Sequence, residues 1–410
     1  MKTTVLTIAL SLMTLIGTAQ VKPGVEVLRD RNFEGLQGKR VGLITNPSGV
    51  DNHLKSTIDI LHEAPGVKLN ALYAPEHGVR GDVHAGDHVD NAVDPATGVT
   101  VYSIYGSSFK PTKEMLDSID VLVYDIQDNG CRSFTFISTM GVAMEACAEN
   151  GKEFMVLDRP NPVGGNKIEG NLVEDSCVSF VSQFPIPYLY GLTPGELALY
   201  LNGEGLIGDS LHVDLTVVPM EGYSRNMDFR ETGMPWVLPS PHIPTPESSI
   251  YYPMSGILGE LSYMNIGVGY TEPFKLFCAA WIDDADELAR RLNARGIPGL
   301  MFRPIHIKPF YAFGQGENLS GVEFYVTDKD AAPLSLTQFY VMEELAEMYP
   351  EHKAFDVAPE ARQRMFDKVT GSKEIRRRFG RNYKVADIED YWNKDVESFR
   401  NRSARYHLYQ

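Results

Sequence analysis

The chain reads as an α/β protein: a Rossmann-like domain built on a mostly parallel sheet, followed by a smaller α/β domain. Two observations predict this. Short runs rich in Val, Leu and Ile alternate with amphipathic stretches through the first half, as in successive βα units. Each run then gives way to a polar loop containing Pro or Gly, as strands do where they leave the carboxyl edge of a parallel sheet. The composition agrees, since 43% apolar and 22% charged residues over 410 positions suit a folded globular chain.

Taken in order, residues 1–19 stand apart. Lys2 precedes an apolar run at 5–16, and Gly17-Thr18-Ala19 supplies the small residues that signal peptidases cleave behind. The run falls short of the roughly 20 residues that span a bilayer. An export signal at 1–19 is therefore expected, with the product periplasmic or secreted and no integral membrane segment after its removal. The first domain, 20–225, has expected strands at 40–45, 69–73, 121–125 and 154–157 and helices at 57–63, 112–118 and 138–150. The strands lead into Asn46-Pro47-Ser48-Gly49, Ala74-Pro75-Glu76-His77-Gly78, Gln127-Asp128-Asn129-Gly130 and Asp158-Arg159-Pro160-Asn161-Pro162. On a parallel sheet these four loops face one cleft. Residues 238–247 hold four prolines and cannot form a central strand or a helix interior. They form either a linker or a stiff wall presenting His242 and Glu247. A helix at 284–295, a strand at 321–327 and a helix at 336–348 outline the second domain, 226–410.

Charge and motifs narrow the function. With 38 Lys+Arg against 54 Asp+Glu, the formal charge of −16 provides no basic excess to displace counterions, which argues against nucleic acid and anionic lipid as general partners. Four cysteines without a C-x-x-C pair give neither a zinc ribbon nor a disulfide scaffold. The chain lacks G-x-G-x-x-G after its first strand, a P-loop, a G-x-S-x-G elbow and H-E-x-x-H. No cofactor is assigned.

The densest polar segment, residues 75–88, holds three histidines, three carboxylates and three glycines. Its His84, Asp87 and His88 have ligand spacing for a metal. Alternatively, Glu76 is a positioned carboxylate at a strand end, with Arg80 available for an anion, or simply part of a turn. A second stiffened segment carries Asp158 and leads to Glu169 beside Gly170; Asp158 faces the cleft or pairs with Arg159. Two carboxylates on facing loops are what glycoside hydrolysis requires, one to protonate the leaving oxygen and one to act at the anomeric carbon.

The order of the blocks is more specific than any one of them. Gly42-Leu43-Ile44-Thr45-Asn46-Pro47-Ser48-Gly49-Val50, Pro75-Glu76-His77-Gly78-Val79-Arg80-Gly81, Asp125-Ile126-Gln127-Asp128, Leu157-Asp158-Arg159-Pro160-Asn161-Pro162, Ile168-Glu169-Gly170, Gly191-Leu192-Thr193-Pro194-Gly195-Glu196-Leu197 and Leu238-Pro239-Ser240-Pro241 follow one another. In this the chain resembles the bacterial exo-β-N-acetylmuramidase family, long known only as a domain of unknown function. The resemblance implies removal of terminal N-acetylmuramic acid from peptidoglycan fragments, in a cleft between the two domains. It makes Glu76 and Glu169 the expected catalytic carboxylates. Asn46, His77, Arg80, Gln127, Asp128, Asp158, Arg159, Asn161 and His242 would line the sugar site. Arg80, Arg132 and Arg159 would meet the lactyl carboxylate, since one Arg at about 4 Å interacts by about 4 kcal/mol at an effective dielectric of 20.

One segment departs from the resemblance. Many relatives carry Glu-Gly-Arg-Gly-Thr before Pro-Phe-Glu, where this chain has Ile266-Gly267-Val268-Gly269-Tyr270 and then Pro273-Phe274-Lys275. A shifted sugar preference is one expectation from that change. A wall-fragment binding protein without turnover and a metal-dependent hydrolase remain the alternatives.

Overall fold

Strands buried on both faces call for continuous apolar runs, and such runs form the centre of the molecule. The computed structural model describes residues 20–81, 91–106 and 108–410. The expected export signal and the metal candidates His84, Asp87 and His88 lie outside the described residues. The strands are β1 (Arg40–Thr45), β2 (Lys68–Ala74), β3 (Ala92–Val93), β4 (Thr100–Ser103), β5 (Val121–Asp125), β6 (Glu153–Leu157), β7 (Ile168–Glu169), β8 (Leu189–Tyr190) and β9 (Leu215–Val218). Seven of them form one sheet in the order β3-β4-β2-β1-β5-β6-β9, while β7 and β8 pair separately. Only the β3–β4 pairing within the large sheet is antiparallel. The chain builds to one side of β1 and then, from β5, to the other. That reversal is a topological switch point, where loops at the carboxyl edge diverge and leave a crevice.

Alternation along the strands divides the core between two faces. Val41, Leu43, Val121 and Val123 pack with Val25 and Leu28 of α1 (Gly24–Asp30) and with Ile58 and Leu61 of α2 (Thr57–Glu63). Past the short α3 (Lys113–Leu116), the opposite face is covered by α4 (Phe136–Glu149) and α5 (Pro194–Gly203), through Ile137, Met140 and Leu197 against Leu122, Tyr124 and Val156. Local signals set the helix starts. Ser56 caps α2, and α5 opens with a full capping box of Thr193 and Glu196 around Pro194.

The C-terminal half contains α6 (Ser248–Gly259), α7 (Ala285–Ala294) and α8 (Thr337–Met348). They accompany a three-stranded antiparallel sheet of β10 (Leu276–Ala279), β11 (Leu300–Ile307) and β12 (Leu319–Val326), with β12 in the middle. The expected helices at 284–295 and 336–348 and the strand at 321–327 are α7, α8 and β12, within two residues at each end. The sequence reading missed α6, because Pro253 lies inside it and Gly256 and Gly259 interrupt its pattern. The core beneath α4 and α5 runs without a break into Met254, Ile257, Phe339 and Met342.

The C-terminal residues return to the first domain. Tyr409 donates to Asp158 Oδ2 at 2.5 Å, and the Leu408 amide donates to Glu196 Oε1 at 2.9 Å. Asp158 also accepts from the Gly195 amide and the Thr193 hydroxyl, both at 2.7 Å, which anchors the start of α5. Burial outweighs these donors and pushes the Asp158 carboxyl from 3.8 up to about 7. Because the folded pKa lies above the unfolded one, the associated stability is complete below the unfolded pKa and is lost as pH rises through about 7. The urea midpoint is therefore expected to fall between about pH 4 and about pH 7, and Asp158→Asn to flatten that slope, as denaturation at a series of pH values would read.

Candidate active site

The cleft is built from strand ends upward. Directly after β2, residues Pro75 to Gly78 make a tight turn closed by the Gly78 amide on the Pro75 carbonyl at 3.0 Å. His77 occupies the left-handed region at φ 72°, at a cost of about 1–2 kcal/mol for a residue with a Cβ. Strain of this kind persists where surrounding structure holds it, commonly at working sites. The turn sets Glu76 at the sheet edge. There Tyr105, following β4, donates to Oε1 at 2.9 Å, and Thr135, just before α4, donates to Oε2 at 2.7 Å. Segments following β2, β4 and β5 thus converge on one carboxylate. Burial, reinforced by the Glu76 charge, raises the Tyr105 hydroxyl well above its ordinary pKa.

Glu76 faces a cleft of about 250 Å³. His77, Tyr105 and Thr135 line it from the first domain, Ser240 and His242 from the proline-rich connector, and Tyr252 and Glu260 from α6 and its end. Tyr252, Gly256 and Glu260 recur every four residues, which aligns them on one helical face. The Tyr252 hydroxyl meets the Ser133 hydroxyl at 3.2 Å. Burial raises its pKa first, and nearby acidic groups, Glu260 and Glu76 among them, add to the rise. The Glu260 carboxyl has no hydrogen bond or ion pair with the described residues, while its amide donates to the Ile257 carbonyl at 3.3 Å. Burial pushes its carboxyl above the ordinary range, with Arg362 opposing. A second pocket of about 320 Å³ shares Tyr252, Glu260 and Phe274 with the cleft and continues past Ile266, Val268 and Phe313.

Of the expected site residues, Glu76, His77 and His242 line this cleft, and the others do not. Glu169 is held elsewhere: its carboxylate accepts from the Leu334 amide at 3.1 Å, the Ser335 amide at 2.8 Å and the Ser335 hydroxyl at 2.6 Å, and Lys167 lies 3.1 Å away. It anchors the segment leading into α8. The three arginines are engaged internally. Arg80 forks onto Asp94, with both bonds at 3.0 Å. Arg132 is buried and donates to the carbonyls of Asn171, Ile186 and Val369, and burial lowers its pKa to about 10. Arg159 pairs with Asp125, not with Asp158.

The buried amides and carboxyls of the loops close their own turns. Asn46 binds the Pro239 carbonyl and the Ser48 amide, and Asn161 binds the Leu192 carbonyl and the Val163 amide. Gln127 reaches the Pro160 carbonyl at 2.7 Å. Asp128 accepts from Tyr190 and the Gly130 amide, with its pKa pushed by burial to about 6. Tight polar loops must satisfy their own backbone groups, and these residues do so. The connector serves as a wall through Ser240 and His242, whereas Glu247 pairs with Arg230. Sequence reasoning missed Thr135, Tyr252 and Glu260. The four-residue spacing along an unrecognised α6 was the available signal for the last two.

Residues 41–247 match the family described as exo-beta-N-acetylmuramidase NamZ, N-terminal, and residues 250–409 match its C-terminal counterpart. The chain is 44% identical over 390 residues to the peptidoglycan beta-N-acetylmuramidase NamZ of Bacillus subtilis (strain 168), covering 95% of this chain and 92% of that protein. It is similar to a crystal structure of a DUF1343 family protein from Bacteroides fragilis NCTC 9343, with 61% identity, a TM-score of 0.92 and coverage of 95% and 99% of the two chains. A second such protein from that strain gives 25% identity and a TM-score of 0.74, with 96% and 99% covered.

Glu169→Ala leaves the Leu334 and Ser335 amides without their acceptor, so a loss of about 1–3 kcal/mol in urea unfolding is expected for each unsatisfied buried donor. An unchanged midpoint would remove Glu169 from this anchoring role.

Proposed function

The chain belongs to the exo-β-N-acetylmuramidase NamZ family, and from that premise we propose that it removes a terminal β-linked N-acetylmuramic acid from peptidoglycan fragments, using Glu260 and Glu76. It is a peptidoglycan glycosidase by membership. The exo-action, the named sugar and the roles of the two residues are our reading. A single observation carries it: a half-buried carboxyl raised in pKa and a carboxylate clamped by two hydroxyls line the same cleft.

Glu260 is the general acid. Its raised pKa keeps the proton available for the leaving oxygen, as glycoside hydrolysis requires. Glu76, with both oxygens fixed, acts at the anomeric carbon as nucleophile or as base toward water. The lactyl carboxylate of muramic acid then meets the imidazoles of His77 and His242 in place of the expected arginines. Export to the periplasm or medium, after cleavage behind Ala19, places the protein with its polymeric substrate; N-terminal sequencing of exported protein should begin at Gln20.

The deciding assay uses a chromogenic aryl β-N-acetylmuramoside, its N-acetylglucosamine counterpart and a disaccharide with non-reducing muramic acid. Glu76→Gln should lower kcat on both muramosides by at least about 100-fold. Glu260→Gln should lower it by a similar factor on the disaccharide but less on the aryl glycoside, whose leaving group needs little protonation. Release of neither aryl sugar by the native protein would count against the activity.

Rising pH deprotonates Glu260, so the rate on the disaccharide should fall along an alkaline limb that Glu260→Gln abolishes. A limb that survives in that variant assigns the acid elsewhere.

A further inference from the structure

We propose that the leaving-group end of an amino-sugar strand runs from Glu260 through the second pocket onto an exposed aromatic ledge at residues 310–313. The protein would then hold several sugars beyond the one it releases. This inference rests on the glycosidase reading above.

Continuity is the first argument. The second pocket shares Tyr252, Glu260 and Phe274 with the cleft, and Ala312 and Phe313 of the ledge also line it. A strand whose terminal sugar sits beside Glu76 and Glu260 has this path leading outward from the acid. Chemistry is the second. Glu260 is the only charged residue lining the pocket among the described residues, and Met264, Ile266, Val268 and Phe313 make the walls apolar. A carboxylate there would be desolvated beside an acidic group with no cation lining the pocket, whereas an uncharged N-acetyl sugar would bury its C–H face and acetyl methyl.

The ledge beyond is aromatic and open. Phe310 is 68% exposed, Tyr311 50% and Phe313 40%, although aromatic side chains of this size are usually buried. Phe310 stacks on Tyr270 at 17°, and Tyr311 stacks on His242 of the cleft wall, with its hydroxyl 2.9 Å from Nε2. The apolar face of a pyranose fits such planes.

The ledge is also held in place. The Phe310 amide donates to the Gly269 carbonyl at 2.7 Å, and Asn265 donates to the Phe313 carbonyl at 2.8 Å. At Gly269, φ is +88° and a Cβ would fall 1.9 Å from the Tyr311 carbonyl oxygen, so only glycine lets the two loops meet. Aromatics fixed before binding lose little freedom when a ligand arrives.

Calorimetry on full-length Glu260→Gln protein, which slows cleavage, tests the ledge. The probes are a disaccharide and a hexasaccharide of alternating N-acetylmuramic acid and N-acetylglucosamine with non-reducing muramic acid. The hexasaccharide should bind about tenfold more tightly. Adding Phe310→Ala should erase that length preference, and Phe310→Trp should keep it. Equal affinities for the two lengths, or a preference that Phe310→Ala leaves intact, overturns the proposal. So does sedimentation showing a dimer that Phe310→Ala dissociates, because the ledge would then be a subunit interface. Loss of aryl muramoside turnover by the native protein would strike the glycosidase reading instead, and the length series still reads the ledge.

Discussion

The buried pair of Asp125 and Arg159 is the constraint on which the carboxyl edge of the sheet depends. Arg159 Nε lies 2.5 Å from Asp125 Oδ1 and its Nη2 lies 3.0 Å from Oδ2, while the guanidinium also reaches the Val50 carbonyl. Thr57, at the start of α2, donates to the same carboxylate. Segments following β1, β5 and β6 are thereby pinned together at the switch point. Removing two charges from water is unfavourable, and only full hydrogen bonding offsets it; losing one partner of such a pair costs about 3–5 kcal/mol, because the other charge is stranded. The β5 loop fixed this way carries Gln127, bonded to Ser48 on one side and Pro160 on the other, and leads on to Thr135. Thr135 then orients Glu76. A structural ion pair and the cleft carboxylate of Glu76 are joined through one short run of backbone.

This arrangement divides the polar residues of the loops into two populations. Most turn inward and complete hydrogen bonds that tight turns leave open. A few, Glu76, His77 and Thr135 among them, are carried outward by backbone that the first population has made rigid. The protein is acidic overall, at −16, yet what an anionic sugar meets is decided within a few ångströms, since more distant charges are screened over about 8 Å at physiological salt.

The legibility of the sequence follows the range of the forces involved. β1, β5 and α2 stand where the apolar runs and the amphipathic spacing put them, because those signals are local. The place of Glu76 on a turn at a strand end, lining the cleft, was legible for a similar reason, since the Pro-Glu-His-Gly turn is a local signal. The expected residues that do not line the cleft share one feature. A polar residue in a loop looks the same in sequence whether it faces ligand, solvent or its own backbone, and Gln127, Arg132 and Asn161 face backbone. Glu169 has its place in an ordered series of blocks, but its amide partners at 334 and 335 are 165 and 166 positions away. Glu260 was hidden twice, by a helix whose pattern proline and glycine obscure and by a tertiary contact that no spacing encodes.

The unbroken core beneath α4, α5, α6 and α8 has a bearing on how this protein can diverge. Glu76 comes from one half of the chain and Glu260 from the other, and the apolar layer that sets their relation belongs to both. Halves taken from two relatives would each arrive with a surface shaped to a different mate, and a chimera would need its seam repacked before the two carboxyls lined one cleft. Change is far easier at the rim, where loops such as 308–316 can be altered without disturbing that layer. New glycan preferences should therefore arise by editing the margins of the slot, leaving its floor ancestral.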